Sequence, residues 1–193
     1  MNPWIAKAVI LAAGVAMFAI RAPHGARSLR VKVARSAKDR REVILLTFAW
    51  IGYFAPLLWA VSPLLSFADY PLRSGPLTAG SACLAVGLWL FHRSHVDLGT
   101  NWSVTLEIRE HHRLVSDGVY RTVRHPMYSA LFLYGLGQAL AVPNWLVGPS
   151  HVAAMVLLFI FRIGAEERMM LETFGDEYTI YMTKTKRLIP GVW

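Results

Sequence analysis

Five apolar runs organise the chain, at residues 2–20, 43–65, 77–91, 127–142 and 147–163. A helix that crosses a bilayer core needs roughly 20 apolar residues, with a range of about 17–25. The runs therefore predict about five transmembrane helices. The third and fourth are short, which requires local extension or tilt. Lys7 lies near the outer end of the first run, where a long basic side chain snorkels to the interface, and Pro56 and Pro63 interrupt the second.

The segments between the runs alternate in charge. Arg21, Arg27, Arg30, Lys32, Arg35, Lys38, Arg40 and Arg41 crowd the first, against Asp39 and Glu42. The second holds only Asp69 and Arg73, the third holds Arg93, Arg109, Arg113, Arg121 and Arg124, and residues 143–146 carry no charge. Lys184, Lys186 and Arg187 lie in the tail. The positive-inside rule puts the first, third and last of these regions in the cytoplasm, hence the N-terminus outside and the C-terminus inside. The expected fold class is all-α: an integral membrane helical bundle, one domain over residues 1–193. Three N-terminal spans and a basic loop at 21–41 fill residues 1–91. A catalytic half fills 92–193, its pocket on the cytosolic side between the loop before the fourth helix and the C-terminal segment.

Composition agrees with a membrane class. The chain is 55% hydrophobic and 17% charged, with mean hydropathy +0.40, against about 25% charge in a soluble domain. The net charge of +8 follows the loops, so it reads as topology and attraction to anionic lipid, and no nucleic-acid partner is expected. Cys83 is the single cysteine and lies in an apolar run, which excludes an intrachain disulfide. The first run lacks the charged start and small-residue cleavage site of a signal peptide and reads as a retained helix. No internal repeat is visible.

The densest chemistry is at residues 117–128, Asp-Gly-Val-Tyr-Arg-Thr-Val-Arg-His-Pro-Met-Tyr. Polar and ionisable groups at the mouth of a membrane helix mark a functional site by default. Pro126 suits the first turn of the following helix, and His125 before it is pushed towards an extended conformation. Arg162 and Glu166 are four apart on one helix face. They form either a helical ion pair or the wall of a cavity in which the guanidinium clamps a carboxylate. His92, His95, His111, His112 and His125 make no H-x-x-H-H box, and His24 and His151 lie elsewhere, so no metal is expected; His92 and His95 read as interfacial. Tyr178 and Tyr181 read as an aromatic belt. Tyr120 and Tyr128 flank the Arg-His-Pro turn, where ring faces suit a cation.

The order Leu-Gly-x-x-Trp-Ser, His-x-Leu-Val, Gly-x-Tyr-Arg-x-x-Arg-His-Pro-x-Tyr, Arg, Glu-Glu and Phe-Gly-x-x-Tyr, spread over residues 98–190, resembles isoprenylcysteine carboxyl methyltransferases and the related phospholipid methyltransferases. The resemblance implies an S-adenosylmethionine-dependent membrane methyltransferase whose lipid-like or prenylated acceptor enters from the bilayer. By motif, His112, Arg113, Leu114, Val115, Tyr120, His125, Pro126, Met127, Tyr128 and Glu166 would contact the cofactor. Thr105 stands where the family can use an amide. Arg162 would orient the acceptor carboxylate with help from Arg124, and Tyr128 would help fix the sulfonium. A carboxylate acceptor is already ionised at neutral pH and needs no base. A phospholipid amine or small thiol does, and Glu167 or His125 would supply it. A small transporter or scaffold is the reading of another class, for which polar groups near the bilayer midplane would be expected.

Overall fold

The computed structural model describes residues 2–28, 32–36, 39–102, 105, 107–109 and 113–192. Each apolar run seeds a helix: α1 (Pro3–Ser28), α2 (Arg40–Val61), α3 (Ser74–Leu98), α4 (Pro126–Ala141) and α5 (Ser150–Phe174). A short α6 (Asp176–Lys184) follows. Asp39 starts α2 by accepting the Glu42 N–H at 2.7 Å, and Pro126 opens α4 from its first turn. Among the described residues, three helices are long and apolar enough to cross a membrane by length and composition, at Pro3–Ser28, Arg40–Val61 and Ser74–Asn101. The fourth is 16 residues long, about 24 Å. The fifth is apolar only until Arg162.

The helices close into a ring in the order α1, α3, α4, α5, α2, each packed on the next. The outward faces stay apolar: Val15, Phe18, Phe48, Phe54, Trp89 and Phe161 are exposed, as lipid contact requires. The α3–α4 seam is the most extensive and is built on small residues. A Cβ on Gly137 would lie 2.7 Å from the Gly80 carbonyl oxygen and 2.7 Å from the Leu84 nitrogen. Such close backbone approach drives helix association in lipid, where apolar side chains gain nothing by meeting each other. At the end of the ring remote from the motif block, Asn144 ties the turns together. Its amide donates to the Leu65 carbonyl at 2.7 Å and to Asp69 at 2.6 Å, and its carbonyl accepts the Val147 N–H at 2.8 Å.

The helical class holds, with one addition that hydropathy does not show. β1 (Val33–Ser36) and β2 (Glu107–Arg109) pair antiparallel, with a register shift between Val33 and Arg35. Helix α3 also runs past its apolar part to Leu98, so residues 92–98, read as loop from the sequence, are helical. His95, read there as interfacial, is fully buried, its ring 4.3 Å from Phe91 and 4.8 Å from Trp102.

Candidate active site

The turn before α4 is built from its sequence. Gly118 adopts φ +58°, and a Cβ there would meet the Asp97 carboxylate. That carboxylate accepts the Val119 N–H at 2.9 Å, which fastens the turn to the end of α3. The next residues lie against the tail. Arg124 N–H donates to the Lys186 carbonyl at 2.7 Å, His125 N–H to the Arg187 carbonyl at 3.0 Å, and the Ser129 hydroxyl to the Leu188 carbonyl at 2.7 Å. Tyr181 donates to the Tyr120 carbonyl at 2.6 Å. Segments some sixty residues apart thus become one wall.

A chain of alternating charges runs behind this wall. Arg162 lies 3.5 Å from Glu42 of α2 and 3.7 Å from Glu166. Tyr128 donates to Glu166 at 2.8 Å. The His125 ring sits between two carboxylates, 3.6 Å from Glu166 and 3.5 Å from Glu167. Glu167 in turn accepts from Arg124 at 3.1 Å and from Arg187 at 2.7 Å. Glu166 lies one turn past the apolar part of α5. Burial would raise its carboxyl, but the hydrogen bond and charge of His125, with Arg162, bring it down to about 2. Burial likewise works to lower His125, and the carboxylates of Glu166 and Glu167 on either side of its ring outweigh that, so its value is raised.

The wall faces a cleft of about 190 Å³. Arg113, Leu114, Val115, Tyr120, Arg124, His125, Pro126, Met127, Tyr128, Arg162 and Glu166 all line it, as does Thr105. The Asn101 side chain positions the Leu114–Val115 stretch, giving to the Arg113 carbonyl at 3.3 Å and taking its N–H at 3.4 Å. His112 lies outside the described residues.

Three sequence readings change. Arg124 is engaged on every side: besides Glu167 it donates to the carbonyls of Met182 and Thr185, and its side chain is 8% exposed. It braces the tail, with most of its donors committed there. Glu167, read as a base, is buried beneath two guanidinium groups and does not line the cleft. Tyr178 and Tyr181, read as a belt, are buried and line the cleft. The sequence reading also passed over Arg21, Phe91, Leu131, Leu158, Met169 and Met170, all of which line it. Glu42 was counted only as a loop charge; nothing in its own neighbourhood points to Arg162, 120 residues later.

The phospholipid methyltransferase family model matches residues 76–177, more than half of the chain. The chain belongs to the phospholipid methyltransferase family. It is 31% identical over 115 residues to the protein-S-isoprenylcysteine O-methyltransferase of Schizosaccharomyces pombe, covering 58% of this chain and 49% of that one. A probable protein-S-isoprenylcysteine O-methyltransferase of Oryza sativa subsp. indica is 25% identical over 98% of this chain and 96% of its own length. Among solved structures, a eukaryotic intramembrane Ras methyltransferase, isoprenylcysteine carboxyl methyltransferase, aligns with TM-score 0.52 and 27% identity over 81% of this chain and 55% of that one. The chain spans about half the length of the S. pombe relative and of the solved chain. Within this family context, the matched residues contain the whole Arg-His-Pro turn and Glu166 and Glu167 of the charge chain. α1, α2 and the tail that pins the turn lie outside them.

Proposed function

We propose that this member of the phospholipid methyltransferase family transfers a methyl group from S-adenosylmethionine to the carboxylate of a lipid-linked, isoprenylcysteine-like acceptor. The observation that carries the reading is the placement of Glu166. Its carboxylate is held at the cleft wall by Tyr128 and His125, among the rings of Tyr120, Tyr128 and Tyr178. A carboxylate with aromatic faces suits the ammonium and sulfonium groups of the cofactor, so the residues present fit it. Arg113, Leu114, Val115, Tyr120, His125, Pro126, Met127, Tyr128 and Glu166 would hold it. The bound cofactor would supply an electrophilic methyl group.

The protein's own part is alignment and exclusion of water. Arg162 lines the same cleft and orients the acceptor carboxylate, which needs no deprotonation. Glu167 is committed to Arg124 and Arg187, and the His125 ring to Glu166 and Glu167, so both candidate bases are engaged, which favours a carboxylate over an amine or thiol acceptor. The basic segments at 21–41 and in the tail orient the site towards the cytoplasm, with the N-terminus outside. The partners are the bilayer and the lipid-like acceptor.

Two measurements test this. S-adenosylhomocysteine should raise the melting temperature of the detergent-solubilised protein, because a ligand of the folded state stabilises it by mass action. Arg162→Ala should lower turnover of N-acetyl-S-farnesylcysteine about a hundredfold or more while cofactor affinity, followed by calorimetry, holds. No thermal shift at millimolar ligand rejects the proposal. An equal loss of cofactor affinity rejects the role of Arg162.

A further inference from the structure

Arg21 stands apart from every other buried or half-buried arginine of the site. Arg124 and Arg187 share Glu167, and Arg162 has Glu42 and Glu166 within 4 Å. Among the described residues Arg21 has no acidic partner and no hydrogen-bond acceptor. Its guanidinium carbon lies 4.8 Å from the Trp50 ring centre and 5.4 Å from that of Trp102. Stacked indoles occupy the faces of a guanidinium and leave its in-plane N–H fork available. A cation held this way is already partly desolvated, which strengthens what the fork binds.

Its position is equally distinctive. A second cavity of about 90 Å³ opens inside the helix ring, lined by Met17 and Phe18 of α1, Ala49, Trp50 and Tyr53 of α2, and His151 and Met155 of α5. Arg21, Leu131 and Leu158 line both this cavity and the cleft, so the two are neighbours joined at Arg21. Phe18 and Trp50 at the edge of the groove are exposed on the outward face of the ring, where lipid would lie. Apart from Tyr53 and His151 the groove is apolar, and Arg21, the arginine among its lining residues, stands at its junction with the cleft.

We propose that Arg21 binds the carboxylate of the acceptor together with Arg162, and that the acceptor's hydrocarbon chain lies in the α1–α2–α5 groove. The assignment rests on the methyl-transfer reading and deepens it. Arg162 has its charge balanced by two carboxylates, so Arg21 supplies the uncompensated attraction. Arg162 sets the direction in which the acceptor oxygen points.

The test compares Arg21→Gln and Arg21→Lys with the wild-type chain in nanodiscs, using N-acetyl-S-farnesylcysteine as acceptor and its neutral carboxamide as competitor. Loss of a charged hydrogen-bond pair should raise KM for the acceptor by about tenfold to a hundredfold in Arg21→Gln, with a smaller change in kcat. Arg21→Lys should recover part of the loss. Inhibition by the carboxamide and affinity for S-adenosylhomocysteine should be the same in all three, which a merely structural role would not preserve. An unchanged KM in Arg21→Gln overturns the assignment, as does equal weakening towards acid and amide. If the defect disappears in nanodiscs of phosphatidylcholine alone and returns with phosphatidylglycerol, Arg21 grips a lipid headgroup and the assignment is likewise overturned. A wild-type protein that does not methylate N-acetyl-S-farnesylcysteine, yet binds S-adenosylhomocysteine, overturns the acceptor class and Arg21's role with it.

Discussion

At the scale of single residues, the site depends on one imidazole between two carboxylates. His125 is 5% exposed and binds its proton more tightly than an ordinary histidine because Glu166 and Glu167 flank it. A raised folded value contributes stability that is complete below the ordinary 6.5 and is lost as pH rises through the folded value. The glutamates work in the opposite sense. Their lowered values contribute stability above the ordinary 4.5 that is lost as pH falls, for Glu166 towards about 2. The wild-type protein should therefore melt highest between these limits, losing stability both in acid and above pH 6.5. His125→Asn should remove the alkaline limb and shrink the acid one, because the imidazole is the leading cause of the lowered glutamate values and only Arg162, Tyr128, Arg124 and Arg187 would still hold them down. Melting curves across pH in detergent, wild type against variant, check this; parallel profiles would mean that the imidazole carries no proton in the folded state. The places of His125 and Glu166 on the cleft wall were legible because ionisable groups stand where the membrane helices α4 and α5 meet the aqueous side. The commitments of Arg124 and Glu167 were not. They arise from carbonyls and a guanidinium in the tail, and a main-chain acceptor leaves no mark in side-chain sequence.

At the scale of elements, hydropathy located every long helix, because the bilayer sets a minimum apolar length. It misplaced their ends. Residues 92–98 read as loop because His92, Arg93 and Asp97 are polar, although Arg93 and Asp97 form a 2.9 Å pair at i,i+4 that supports continuing α3. The β1–β2 ribbon escaped notice because each strand has four residues or fewer, too short for an alternating pattern. What holds the elements is small-residue contact. Gly137→Val should force α3 from α4 at the Gly80 and Leu84 backbone, costing about 1–3 kcal/mol, and should weaken S-adenosylhomocysteine binding because α4 carries the Arg-His-Pro turn. Gly164→Ala is the matched control: its Cβ would approach nothing nearer than an Arg168 nitrogen at 3.6 Å, so a helix-propensity gain of up to about 1 kcal/mol is expected. Thermal unfolding of both variants separates packing from helix propensity. Equal melting temperatures would show that the seam tolerates separation.

At the scale of the whole molecule, the family-matched segment ends before the residues that complete its site. The match stops at residue 177, yet Met182, Thr185, Lys186, Arg187 and Leu188 supply the carbonyls and the guanidinium that fix the turn before α4. Glu167 is the joint, since Arg124 from the turn and Arg187 from the tail meet on it. Removing it leaves the Arg124 guanidinium, 8% exposed, buried without its counter-charge, a change that costs about 3–5 kcal/mol when a buried pair is broken on one side. Glu167→Ala should therefore destabilise the chain by that order and also free the tail. The Arg124 and His125 amides, whose acceptors are the Lys186 and Arg187 carbonyls, should exchange with deuterium faster while the amides of the α3–α4 seam stay protected. Cofactor binding should weaken although Glu167 does not itself line the cleft. Exchange that rises uniformly along the chain would instead mean that Glu167 supports the bundle as a whole. Unchanged exchange at 124 and 125 would mean that the main-chain bridges hold the tail without the ion pairs.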